Sequence, residues 1–255
     1  MTNKTKINLL LDYLKYLKLT GIKEAYKDFI KQAENNSLSY LDFLLLNLEY
    51  EYQTKNSRKR IRMIKDSKLP IGKKFDSFDI KVFPIKIKQK IKGLQTGGFL
   101  DRKENILVFG QPGSGKTHLL CALAYEQIEQ GRKMLFTTCS LLVQKLLIAK
   151  KNLELEKIFK KLSKYEGIII DDIGYVGQNR EEMEVLFTFL AERYERGSVM
   201  ITSNLPFSKW EKIFKDPMTT AAAIDRLVHH SIIIEMQEVD SFRRLAAKKR
   251  LKEAG

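Results

Sequence analysis

A chain of 255 residues with 44% apolar and 30% charged residues is long enough to bury a sizeable core and is composed like a folded protein, not a disordered or fibrous one. Its formal charge of +15, with a pI of about 9.6, points to a polyanionic partner, nucleic acid before acidic membrane. Only Cys121 and Cys139 are present, without a CxxC spacing, a secretory leader or an apolar run of membrane-spanning length, so neither disulfides, structural zinc nor membrane insertion is expected and the expected home is the cytoplasm.

The excess charge is unevenly placed: residues 1–94 hold 21 Lys and Arg against 10 Asp and Glu, whereas residues 95–255 hold 25 against 21. In INLLLDYLKYLKL (7–19), Leu9, Leu10, Tyr13, Leu14 and Leu17 recur at helical spacing, and a second amphipathic helix is expected over 22–34. Ser39 and Asp42 then form an S-x-x-D start signal, whose hydroxyl and carboxylate satisfy the open amides of a first helical turn. The expectation is a small all-helical amino-terminal module over 1–68 for DNA or partner binding. Within it, Lys55, Arg58, Arg62 and Lys65 fall at i, i+3, i+7 and i+10, so a continued helix carries four cations on one face, with Lys59 beside them. Set against phosphates, such a stripe gives salt-sensitive, sequence-independent binding; a solvated helix face is the plainer alternative.

Pro70, Gly72 and Pro84 break the helical pattern, so 69–95 reads as a linker, with Phe75 and Phe78 as apolar anchors onto the next domain. From residue 96 that second domain is expected to run to the end. Short apolar runs alternate there with helical stretches, which predicts an α/β fold with a parallel five-stranded sheet covered on both faces. The strand candidates are 106–109, 133–138, 167–171, 198–203 and 231–235, with helices that include 116–130, 153–165 and 182–196.

The chemistry concentrates after the first of these strands. GQPGSGKTHLL, Gly110 to Leu120, has the G-x-x-x-x-G-K-T spacing between a strand and a helix that a phosphate-binding loop requires. Glycines let successive N–H groups turn inward and the helix amino terminus adds positive potential. Lys116 is expected on the β- and γ-phosphates and Thr117 on a magnesium ion. Gly110, Gln111, Pro112, Gly113, Ser114, Gly115, Lys116, Thr117 and His118 are the candidate nucleotide contacts. Fifty-five residues after Lys116, the apolar strand GIIIDD delivers Asp171, suited to the magnesium side, and Asp172, suited to orienting or deprotonating an attacking water. SVMITSN ends another strand in Asn204, which holds that water, senses the γ-phosphate or is an ordinary turn residue. Arg226 and Arg243 are the later candidates, with Arg244 the alternative to Arg243.

Taken in order, LKLTGIKEAY (17–26), SYLDFLLLNLEYE (39–51), GQPGSGKTHLLCALA (110–124), IIIDDIGYV (168–176), LAERYERGSVMITSN (190–204), FSKWEKIF (207–214), AAIDRLVHHSIII (222–234) and DSFRR (240–244) resemble the IstB-like transposition helper ATPases. These are similar to the DnaC helicase loaders and belong to the AAA+ superfamily of P-loop ATPases. The resemblance implies ATP and Mg2+ as cofactors, Gly110 to Thr117 as the Walker A loop and Asp171 with Asp172 as the Walker B pair. Asp172 stands where many AAA+ proteins have Glu, a departure that puts fast hydrolysis in doubt. By the same resemblance Asn204 is the sensor-1 residue, Arg226 the arginine finger acting on an adjacent subunit, and Arg243 the sensor-2 residue. It further implies a homo-oligomer, ring or helical, on duplex DNA, assisting a DDE-type transposase in choosing and engaging target DNA. A replicative helicase loader is the alternative reading. His229, His230, Cys121, Cys139, Met200 and Trp210 are expected to serve packing.

Overall fold

The computed structural model describes residues 2–175, 180–206, 210 and 227–236. The chain divides into two compact units, Met1–Arg62 and Met63–Gly255.

In the first unit, α1 (Asn3–Tyr16), α2 (Thr20–Asn36) and the beginning of α3 (Tyr40–Ser67) form the predicted helices. The start signal of α3 is realised, since the Asp42 N–H donates to Ser39 Oγ and the Ser39 hydroxyl donates back to the Asp42 carboxylate. Buried apolar side chains are few: Leu14, Ile22 and Phe29, the last edge-on to Tyr50 at 5.2 Å between ring centroids. Polar links do much of the rest. Glu51, 3% exposed, accepts from the Ile22 N–H at 2.8 Å and so places a carboxylate on the first turn of α2. Gly21 permits the approach, because a Cβ there would stand 2.9 Å from Glu51 Oε2. The guanidinium of Arg58 grips both oxygens of Glu24 at 2.8 and 2.9 Å and also reaches the Thr20 hydroxyl.

The second unit is built on β1 (Asn105–Phe109), β2 (Met134–Thr138), β3 (Gly167–Asp171), β4 (Ser198–Ser203) and β5 (Ser231–Glu235), all parallel, in the order β2-β3-β4-β1-β5. Alternation along each strand divides the core in two. Ile106, Val108, Ile169, Met200 and Ile234 face α6 (Lys116–Glu129), which contributes Leu119, Leu120 and Leu123. Leu107, Phe109, Ile168, Ile170, Val199 and Ile201 face α7 (Cys139–Lys151) and α9 (Arg180–Arg193), and against this layer lean α8 (Leu155–Leu162) and Trp210. Both faces of the sheet are covered, which is why its strands read as unbroken apolar runs.

Residues 69–95 are more than a tether. Pro84 opens α4 (Ile85–Gln95), where its fixed φ and missing N–H suit a helix start, and α5 (Gly98–Asp101) comes next. Phe78, Phe83, Ile91 and Leu94 are buried in the α6-side core, with Phe75 packed against it. The expected anchors Phe75 and Phe78 thus touch the core, together with a helix that the prolines had concealed.

Arg193 locks the amino-terminal side of the sheet. Although 5% exposed, it donates through its terminal nitrogens to the carbonyls of Leu162, Tyr165, Glu166 and Ser198, at 2.9–3.4 Å. Burial lowers its pKa to about 10. A Cβ at Gly197 would overlap the guanidinium, so the Arg and the Gly of RYERGS are one structural device.

Candidate nucleotide site

The carboxyl ends of β1, β3 and β4 bring three segments together, the edge where open α/β sheets bind ligands. β1 leads into the loop 110–115. Its first residue has no room for a side chain: a Cβ on Gly110 would stand 2.8 Å from Ser114 Oγ and 2.9 Å from the Met236 carbonyl. Gly113 and Gly115 have φ of 87° and 94°, the left-handed region that glycine enters without strain. Gly115 caps α6, whose first-turn N–H groups have no intrahelical acceptor and meet at the loop. Lys116 is 6% exposed, and its ammonium donates to the carbonyls of Gly110 at 2.8 Å and Gln111 at 3.0 Å. The cation is therefore held inside the curl where an anion would sit. Ser114 Oγ is buried and has no hydrogen-bond partner among the described residues.

Thr117 and Asp171 meet directly, the Thr117 hydroxyl donating to Asp171 Oδ1 at 2.7 Å. The same oxygen accepts from the Thr202 hydroxyl of β4, also at 2.7 Å, and Thr202 Oγ1 accepts from the Asp172 N–H at 2.8 Å. Thr202 is thus a bridge between the two acids that the sequence did not single out; its signal was a hydroxyl at the end of an otherwise apolar strand. Asp172 has a φ of 58°, a left-handed conformation that Asp tolerates better than most side chains. Asn204 comes directly after β4, and its Oδ1 is buried without a hydrogen-bond partner among the described residues. It presses on Gly174, where a Cβ would overlap it, so the IGY turn after β3 leaves space for this amide.

His118 goes elsewhere. Its Nε2 lies 3.0 Å from the Lys74 carbonyl and 3.2 Å from the Ser77 hydroxyl, and its ring lies 5.2 Å from that of Phe78. The imidazole anchors residues 74–78 in preference to reaching into the loop. Cys121 and Cys139 are buried, and burial pushes both thiols up to about 12, leaving them protonated and unreactive at neutral pH. Arg226 and Arg243 lie outside the described residues, as does Arg244.

The donors fit the groups they were expected to hold. A hydroxyl and a carboxylate oxygen in contact are hard ligands of the kind magnesium takes alongside phosphate oxygens. An enclosed ammonium, a helix amino terminus and an unpartnered serine hydroxyl suit a phosphate chain.

The five DNA candidates are dispersed in their bonding. All five are exposed, but Lys55 pairs with Glu51 at 3.3 Å and Arg58 with Glu24, whereas Lys59, Arg62 and Lys65 form no ion pair among the described residues. Among the described residues, no helix is long and apolar enough to cross a membrane.

Comparison with known proteins agrees with this arrangement. The sequence pattern of the IstB-like ATP binding protein family matches residues 12–251. A Sinorhizobium fredii protein named as an insertion-sequence ATP-binding protein is 40% identical over 91% of this chain and 78% of its own length. A Geobacillus stearothermophilus protein named likewise is 38% identical over 95% of both chains. Among solved structures, the DnaC helicase loader superposes with a TM-score of 0.56 at 15% identity, over 65% of this chain and 97% of its own. AMPPCP-bound DnaA from Aquifex aeolicus gives 0.57 at 18% identity, over 73% and 56%. These two share the fold. With its phosphate loop, its β3 carboxylates and a family match across nearly its whole length, the chain belongs to the IstB-like ATP-binding proteins of insertion sequences.

Proposed function

We propose that the chain is a magnesium-dependent ATPase that assembles side by side on duplex DNA and assists the transposase of its insertion sequence in engaging target DNA, hydrolysis driving release. The observation that carries the reading is the shared oxygen of Asp171, which accepts from Thr117 beside the phosphate loop and from Thr202 on β4. Three segments of chain, well separated in sequence, are fixed on one atom at the point where β- and γ-phosphates and their cation would meet.

Each side chain then has a task. Lys116 exchanges its two loop carbonyls for phosphate oxygens, which gives a charge-assisted contact in place of two neutral ones. Thr117 and Asp171 would hold a magnesium ion, which would supply positive charge against the phosphate oxygens. Asp172, its backbone N–H held by Thr202, orients the attacking water or takes one proton from it, and Asn204 Oδ1 accepts a hydrogen bond from the water's other O–H. Arg226 of a neighbouring subunit and Arg243 of the same one complete the charge balance, so that assembly and hydrolysis are coupled. A contact of this head-to-tail kind closes to a ring or continues as a helix. The relatives named for insertion sequences favour this reading over helicase loading.

Titration with a fluorescent ATP analogue, with and without magnesium, tests the site. Lys116→Ala is expected to weaken binding about a hundredfold or more and to abolish ATP-dependent assembly on duplex DNA. Unchanged affinity would remove the phosphate role. Arg226→Ala is expected to bind nucleotide normally yet neither assemble nor hydrolyse it; normal turnover by this variant would remove the shared-site part alone.

A further inference from the structure

At the β2 edge of the sheet, a groove of about 650 Å3 opens in the second unit. Its floor is apolar, made by Phe136 of β2, Leu142 of α7, Ile158 and Leu162 of α8, and Tyr165. Its polar lining is basic: Lys65, Lys68, Lys145 and Lys161 against one acid, Asp66. A smaller hollow of about 260 Å3 shares Asp66, Lys161 and Tyr165 and adds Lys133 and Lys164. Among the described residues, none of these six lysine side chains forms an ion pair. Lys68, Lys145 and Lys161 line the same groove, and burial together with the charges of Lys68 and Lys161 lowers the Lys145 pKa. Like charges gathered over an apolar floor are unfavourable unless an anion joins them.

Two features select the occupant. The ammonium groups call for oxyanions, whereas the floor calls for apolar side chains. The outer surface of duplex DNA offers phosphates and sugars, with nothing to seat on Ile158 and Leu162. A peptide offers both. Volume agrees, since grooves of this size enclose a few side chains and not a double helix.

We propose that this groove docks an acidic peptide segment of a protein partner, whose Asp or Glu side chains meet Lys68, Lys145 and Lys161 while apolar side chains between them seat on Phe136, Ile158 and Leu162. The groove shares no residue with the phosphate loop, and the proposal stands apart from the nucleotide reading.

Anisotropy titrations of the full chain with a fluorescein-labelled peptide of alternating Leu and Glu, about 12 residues long, test it at about 150 mM salt, where diffuse attraction is screened beyond about 8 Å. K68E/K145E is expected to weaken the peptide at least about tenfold, whereas K27E/K31E, the same charge change on α2, weakens it less than about twofold. Exchanging the peptide's leucines for serine, or its glutamates for glutamine, is expected to cost at least as much as the groove variant. K68Q/K145Q, with its melting temperature compared to wild type, repeats the test without charge reversal. If the leucine-free peptide binds as well, or groove and control variants weaken binding equally, the attraction is diffuse and the proposal falls. It falls too if K68E/K145E spares the peptide and weakens a short DNA duplex instead, because the groove is then a phosphate track. Magnesium-dependent binding of the ATP analogue is expected to be unaltered in both groove variants, which separates this outcome from failure of the nucleotide site.

Discussion

The two units hold themselves together by different means. In Met63–Gly255, both faces of a five-stranded sheet are sealed, and Ile106, Leu107, Leu119, Leu120, Ile168 and Ile169 are wholly buried. Met1–Arg62 buries Leu14, Ile22 and Phe29 and leaves Tyr16, Leu17, Tyr40, Leu41 and Tyr52 well exposed. A unit of that length has little surface to bury, so single polar links carry more of its stability. Where the core is large, buried polar groups are free to specialise: Arg193 ties the sheet's amino-terminal side, while Asp171 and Thr202 tie together the segments at the opposite end. In the small unit, Glu51 and Arg58 have no comparable core behind them.

The largest effect should come from the frame of the second unit. Arg193→Met keeps much of the side-chain bulk but removes the guanidinium donors from four carbonyls at the amino-terminal side of the sheet, a loss of about 2–4 kcal/mol by the usual cost of breaking a largely enclosed polar network. Gly197→Ala is expected to approach it, because the new methyl overlaps the guanidinium. Thermal melting reads both, and a melting temperature within about 2 °C of wild type for either would show that the core alone suffices.

Glu51→Ala probes the other side of the contrast. It leaves the buried Ile22 N–H without an acceptor and removes a carboxylate from the α2 amino terminus, expected to cost about 1–3 kcal/mol. In a unit with so small a core that loss should melt the amino-terminal helices separately, giving an early fractional loss of far-ultraviolet ellipticity with the main transition unmoved. A single, jointly shifted transition would mean that the two units unfold as one.

Thr202→Val sharpens the comparison within the second unit, since it removes a hydroxyl from a fully enclosed place while keeping the shape. The expected result is a turnover rate down about tenfold or more with KM little changed, and recovery in Thr202→Ser, as for a residue that positions others without touching substrate. A fall in stability with no rate effect beyond it would make Thr202 a packing residue.

What was legible in the sequence divides along the same line. The strands could be read because a sheet covered on both faces needs continuous apolar runs, and the phosphate loop because its curl admits few residues other than glycine. Strand order could not be read: that β4 lies between β1 and β3 depends on pairing between distant segments, and so does the role of Thr202. Prolines misled where Pro84, expected to break a pattern, instead begins α4. His118 looked like a phosphate contact because it stands next to Thr117, yet its imidazole is bonded to Lys74 and Ser77. Arg193 carried no signal of its own, because its four carbonyl partners come from segments that only the fold brings to the last turn of α9.

The smallest expected effect separates two cations that composition treats alike. Arg58 and Lys59 both entered as DNA contacts, but Arg58 is engaged by both oxygens of Glu24, whereas Lys59 is exposed and takes part in no ion pair among the described residues. Truncating a cation that touches a DNA phosphate lowers the slope of log affinity against log salt by about 1, and an arginine already neutralised by a carboxylate releases no counterion. Lys59→Ala is therefore expected to reduce the salt slope of duplex binding by about 1, and Arg58→Ala to leave the slope unchanged while destabilising the helical unit by about 0.5–1 kcal/mol. Should Arg58→Ala flatten the salt profile as much as Lys59→Ala, Glu24 must yield its partner to DNA, and the links of the small unit would be exchangeable where those of the large one are fixed.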